Sequence, residues 1–219
     1  MKQIAQFSLV MLSLLTGCTA HGQRTAAETG GMPYGKWRFS FFTPYALPAT
    51  VTFVMIIDTE NVVSRFRTLD SSSGDPGVIG TWNNRTGSGS VHFNKALHPP
   101  VGMLFCWDSI IDKRTYETRI IFEPSLRETM LTTTGKDSYG DTAWYDTLLF
   151  GLAPEGKVRI WLQNSAPVEN IPLTPKKITT LSGDKLDICK GVTRHPNGYV
   201  YYGDTPEFIK GKTYPYGSW

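Results

Sequence analysis

Charge is scarce in this chain of 219 residues: Asp, Glu, Lys and Arg make up 19% of it, and 22 basic against 19 acidic residues leave a net +3. So even a balance carries no electrostatic footprint for nucleic acid or an acidic polymer. Histidine occurs four times and never in metal-binding company. His21 stands in a Gly-, Ala- and Thr-rich stretch and His195 in the turn sequence Arg194-His195-Pro196-Asn197-Gly198. His92 and His98 have no cysteine or helical carboxylate at ligand spacing. No metal and no cofactor is expected. No Gly-x-Ser-x-Gly elbow surrounds any serine, and the glycine-rich stretches near Ser72 and Ser88 lack the Lys-Ser/Thr of a phosphate loop. His98, Asp108 and Ser109 are the residue types of a hydrolytic triad, but Ser109 falls in a connection between strands, so the chain reads as a non-enzyme. After the first 17 residues no stretch approaches membrane length; the most apolar, at 101–107, is stopped by Pro100 and Asp108.

What is present begins at the N-terminus. Lys2 precedes an apolar run from Ile4 to Leu15, followed by Leu15-Thr16-Gly17-Cys18. This is the anatomy of a secretory signal, too short to span a bilayer and stay. The tetrapeptide resembles the lipobox, which implies cleavage after Gly17 and lipidation of Cys18, the anchor holding stably through several acyl chains. Thr19, rather than an aspartate, follows the cysteine, and resemblance to sorted lipoproteins then implies the outer membrane, on its periplasmic face. The expected organisation is a signal peptide at 1–17, a flexible tether at 18–33 with a reach of about 20 Å, and a single β-rich domain at 34–219. Lipidation of Cys18 leaves Cys106 and Cys189 as the only possible pair of the three cysteines. An oxidising compartment permits a disulfide between them, and two buried free thiols are the alternative.

Past residue 36 the pattern is that of strands. Trp37, Phe39 and Phe41 alternate with Arg38 and Ser40, and the β-branched run at 50–59 turns through polar residues into 62–69 as a hairpin. The stretch 100–107 reads as a buried strand whose partner returns at 115–122. Segments 143–152 and 157–163 flank Ala153-Pro154-Glu155-Gly156, a connection with Pro and Gly placed as a turn demands. One helix start is visible, Ser125-Leu126-Arg127-Glu128, where serine and glutamate can form a capping box. Weaker strands are expected near 186–189 and 199–202. The fold class is mainly β, an antiparallel sandwich or strongly bent sheet with one short helix.

Binding residues are expected in two polar loops. Asp70 and Asp75 lie in a Ser/Gly/Asp-rich loop at 70–77; Asp108, Asp112, Lys113 and Arg114 surround Ile110 and Ile111, in a binding loop or a tight hairpin with the isoleucines tucked inward. The C-terminal cluster of Tyr199, Tyr201, Tyr202, Phe208, Tyr214, Tyr216 and Trp219 suits either a docking surface or a cover over the core.

Pro99-Pro100 leading into a strand that ends Trp107-Asp108-Ser109, then Tyr116-Glu117-Thr118 with Ile120 and Phe122, Met130, and later Val158-Arg159-Ile160-Trp161-Leu162, resemble a domain-of-unknown-function family of Gram-negative lipoproteins. Some members are encoded beside phospholipase effectors of the type VI secretion system. The resemblance implies an immunity protein whose partners are the membrane, through its lipid, and a secreted phospholipase toxin whose active site it occludes. A structural or assembly lipoprotein of the envelope is the alternative.

Overall fold

A computed structural model describes residues 31–67, 72–86, 94–192, 195 and 198–219. Cys18, the signal, most of the tether, Asp70, His21 and His92 lie outside the described residues. In chain order the strands are β1 (Trp37–Pro44), β2 (Ala49–Asp58), β3 (Val63–Arg67), β4 (Ser73–Asp75), β5 (Lys95–Ala96), β6 (Pro100–Ser109) and β7 (Arg114–Ile121). Helix α1 (Ser125–Leu131) follows, then β8 (Thr133–Lys136), β9 (Thr142–Ala153), β10 (Lys157–Asn164), β11 (Ile171–Leu173), β12 (Lys177–Ser182) and helix α2 (Thr205–Ile209). The fold is mostly β, as the alternation predicts.

Two sheets form. One of seven strands runs β11-β10-β9-β1-β4, with β5 added to β1 and β8 to β9; the other, of five, runs β12-β7-β6-β2-β3. All three predicted hairpins are present: β2 with β3, β6 with β7, and β9 with β10. The sheets face each other across an aromatic core. Phe41 of β1 meets Phe105 of β6 edge-on at 5.0 Å, and both contact Phe150 of β9, at 5.3 and 5.6 Å. Edge-to-face rings set the electropositive rim of one against the electron-rich face of the other. Leu126 and Met130 of α1 join the same core.

The centre of the seven-stranded sheet is buried on both faces, so β1 is buried along its length except at half-buried Arg38, with its polar Ser40 and Thr43 included. On its outer face Phe42, Leu149 and Trp161 are covered by Val78, Trp82 and the C-terminal Trp219. The last aromatic therefore serves as cover. Gly151 lies beneath this lid, where an added Cβ would meet Trp82 at 2.6 Å and Phe42 at 2.9 Å. In the β9–β10 turn Gly156 has φ +70, and its Cα packs so closely on the Tyr116 ring that a Cβ would fall 2.7 Å from it.

Several local expectations differ from the structure. β1 pairs in parallel with both β9 and β4, so the larger sheet is mixed rather than wholly antiparallel. Ser73–Asp75, expected as loop, is the short β4, because its backbone can extend the exposed edge of β1. Strands occur at Ile171–Leu173 and Lys177–Ser182, not at 186–189 or 199–202. The latter two segments bond to side chains of the sheet instead of joining a ladder. α1 starts where expected, but its N-cap is Pro124 and no side-chain cap hydrogen bond forms.

Candidate partner-binding site

Between β6 and β7 the chain reverses over residues 110–113, the ladder closing at the pair Ser109 and Arg114. Ile110 and Ile111 are buried, as the tight-hairpin reading has it. Lys113 takes a positive φ of 51, and the Asp112 backbone N–H donates to Ser109 Oγ at 3.1 Å. Ser109, expected in the connection between strands, is instead the last residue of β6, because the ladder runs on to Arg114, and its hydroxyl is taken up by the turn bond. Asp112 organises the neighbourhood: its Oδ2 accepts from Tyr116 Oη at 3.0 Å and from the Glu155 backbone N–H at 2.9 Å, while its Oδ1 accepts from Tyr214 Oη. One carboxylate thus ties together the β6–β7 turn, the β9–β10 turn and the C-terminal segment.

Asp108 does the same one strand turn away. It is 1% exposed; its Oδ1 accepts from Thr115 Oγ1 at 2.6 Å and from Tyr199 Oη at 3.0 Å. His195 Nε2 lies 3.2 Å from the other oxygen, within ion-pair distance but off hydrogen-bond geometry, and its ring lies against Tyr199 with centroids 4.1 Å apart. Burial is the main force raising the phenol pKa values of Tyr116, Tyr199 and Tyr214, and the facing carboxylates of Asp112 and Asp108 add to it, since each disfavours a second negative charge. These phenols are donors held in the neutral form.

The predicted binding residues therefore divide. Lys113 and Arg114 are exposed at the turn, with Lys113 Nζ 5.2 Å above the Tyr201 ring. Asp108 is buried and Asp112 half-buried, so their carboxylates hold the turn rather than face outward. Asp75, in the other loop, accepts from the Gly77 backbone N–H at 2.7 Å, a local turn bond. Tyr199 and Tyr201 point inward, whereas Val200 at 67% exposure and Tyr202 at 52% point away. Exposed Lys113, Arg114, Val200, Tyr202 and Tyr214 share one end of the sandwich with this framework beneath them.

The triad types are not brought together. His98 Nδ1 lies 3.3 Å from Asp58 Oδ2, at the Pro100 end of β6, whereas Asp108 is at the far end of that strand. Eight residues of extended chain separate the ends by about 27 Å. Among the described residues no group of His, Cys, Asp and Glu could hold a metal ion. No helix among them is long and apolar enough to cross a membrane.

A model of one family, described as a protein of unknown function, DUF2931, matches residues 20–217. The chain belongs to the DUF2931 family. No curated protein and no solved structure matches it.

The larger internal clamp of this DUF2931 domain lies on the outer face of the five-stranded sheet. Cys106 and Cys189 are joined by a disulfide with Cα atoms 5.4 Å apart. Glu117, the cross-strand neighbour of Cys106 on β7, is fully buried. Its Oε2 accepts from the Asp187 and Cys189 backbone N–H groups at 3.0 and 2.9 Å, and its Oε1 from Arg119 Nε at 2.6 Å. Arg119 also reaches Asp187 at 2.8 Å. Reading residue types missed this role. The available signal was an acid and a base two apart in a strand, Glu117 and Arg119, which the strand period puts on one face.

Proposed function

We propose that the chain works by binding rather than by catalysis, as a lipid-anchored lipoprotein on the periplasmic face of the outer membrane that protects against a secreted phospholipase of the type VI system by covering its active site. The observation that carries this reading is the end of the sandwich around the β6–β7 turn. Exposed Lys113, Arg114, Tyr202 and Tyr214 stand on a framework tied by Asp108 and Asp112. A pre-organised patch of aromatic and basic side chains loses little entropy on docking, and Tyr and Arg supply much of the energy at protein interfaces. The groups a hydrolase would need have other partners: Ser109 accepts a turn bond and His98 lies against Asp58.

Occlusion of a catalytic mouth requires an interface near the standard 1,600 Å² or larger, roughly 800 Å² from each partner. The deciding experiment is co-expression with a periplasm-directed phospholipase encoded beside the gene. Protection by the wild type and by His98→Ala and Ser109→Ala, with loss of protection in Lys113→Glu/Arg114→Glu, is the expected pattern. Continued lysis in the presence of folded, correctly localised protein rejects the reading for that pair and favours an assembly role in the envelope.

A further inference from the structure

The outer face of the five-stranded sheet carries a groove that the partner-binding end does not use. Side chains two apart on a strand leave the same face, so Arg65 and Arg67 of β3 stand side by side, their Cα atoms about 6.7 Å apart. Their cross-strand partners on β2 are Met55 and Phe53, which make an apolar floor. The opposite wall is the segment that the disulfide and Glu117 hold against the sheet, contributing Ile188 and Val192 at 44% and 43% exposure. The cavity measures about 510 Å³, within the roughly 300–1,000 Å³ typical of small-molecule sites.

Three features define what fits. The lining contains two arginines and no acid, and among the described residues neither guanidinium has a carboxylate partner. Thr52, which lines the same groove, has a buried hydroxyl oxygen with no hydrogen-bond partner, a state that buried polar groups rarely keep. The rest of the surface is apolar. An inorganic anion would leave that floor and wall in water. A peptide would bring backbone donors and acceptors to a groove whose one neutral polar side chain, Thr52, keeps its hydroxyl oxygen buried, and the groove opens on the sheet's face rather than along the free edge of β3.

We propose that this groove binds a single-chain anionic amphiphile, with its carboxylate or phosphate headgroup held by the Arg65 and Arg67 guanidiniums and its chain laid over Phe53, Met55, Ile188 and Val192. Guanidinium forks match both headgroups bidentately, where a lysine would act as a point charge. The site is independent of the toxin reading, since it lies on a different surface and makes no use of Lys113 or Arg114.

The test is photo-crosslinking of the full-length chain with diazirine-bearing analogues of palmitate, of lysophosphatidate and of a chain-matched alkyl trimethylammonium, followed by peptide mapping. Labelling of peptides containing Phe53–Met55 and Ile188–Val192 by palmitate, by lysophosphatidate or by both supports the site and names its headgroup. Arg65→Gln/Arg67→Gln is expected to weaken that labelling about tenfold or more, and Arg65→Lys/Arg67→Lys by less. Both arginines are exposed on an edge strand, and an unchanged melting temperature confirms that the variants fold. Equal labelling by the cationic analogue, labelling indifferent to the arginines, or displacement by a short polyglutamate peptide at lower concentration than by palmitate would each overturn it.

Discussion

Replacing Glu117 with alanine is expected to leave two backbone donors of the segment 186–192 without an acceptor while the disulfide still holds them against the sheet, and the size of the effect follows from the atoms left behind. Glu117 is fully buried and accepts two backbone N–H groups, from Asp187 and Cys189. Without it those two donors face an apolar surface, each at a cost of about 1–3 kcal/mol. Arg119 adds little to the total, because its side chain is 42% exposed and retains Asp187. The expected destabilisation is roughly 2–6 kcal/mol, the sum over the two donors. Glu117→Gln keeps the shape and one acceptor oxygen, and is expected to cost about 1–2 kcal/mol. The disulfide holds the same segment across a sequence separation of 83. In the chain-entropy account a closed loop of that length destabilises the unfolded state by about 4.5 kcal/mol. Once the bridge is cut, the segment can lift and let water satisfy both N–H groups, so Glu117→Ala is expected to cost about 1 kcal/mol or less in Cys106→Ala/Cys189→Ala. Urea unfolding followed by tryptophan fluorescence in all four proteins measures the cycle. Equal costs of Glu117→Ala with and without the disulfide would refute a shared clamp.

Gly151→Ala places a Cβ 2.6 Å from Trp82 and 2.9 Å from Phe42; the overpacking is expected to lower stability by about 1–3 kcal/mol, and an unchanged melting temperature counts against the tight lid. Tyr116, Tyr199 and Tyr214 have phenol pKa values raised above the usual 10.0. Their contribution is therefore complete below pH 10 and declines as pH rises from there through the raised values, because only the unfolded chain ionises first. Absorbance at the phenolate band checks this, and simultaneous ionisation of every tyrosine at the ordinary value would contradict it. Cys18→Ser removes the thiol of the lipobox-like Leu15-Thr16-Gly17-Cys18 and is expected to abolish fatty-acid labelling and membrane attachment; a variant still labelled and still in the detergent phase would sink the anchor.

Much of the fold was legible because its signals are local. Alternation at Trp37 to Phe41, β-branched runs at 50–59, and Ala153-Pro154-Glu155-Gly156 each constrain only neighbouring residues, and all three predicted hairpins join strands adjacent in sequence. The parallel pairing of β1 with β9 was not legible: it joins Arg38 to Thr147, and no short-range pattern says which distant strand fills an edge. β11 and β12 were missed for a related reason. They are short strands with no fully buried residue, whose order comes from the ladders of β10 and β7 rather than from a hydrophobic period of their own.

At the candidate sites the division is sharper. Residue types and spacing alone marked Lys113 and Arg114 at a turn, the tyrosine-rich C-terminus, and Cys106 with Cys189 as the available pair. Which carboxylates would be buried could not be read this way, since burial depends on what other segments lay over them. Asp108 and Asp112 look like an exposed acidic loop in one dimension, and are covered, Asp108 fully and Asp112 in part, only because Tyr199, Tyr214 and Glu155 arrive from 43 to 102 positions away. Likewise Arg65 and Arg67 are unremarkable surface cations until the chain at 186–192, held by Cys106 and Glu117, supplies the second wall beside them. Strand period and turn chemistry are properties of neighbours, and the sequence carries them directly; burial, charge pairing and grooves are properties of distant segments meeting, and only the packed sandwich decides them.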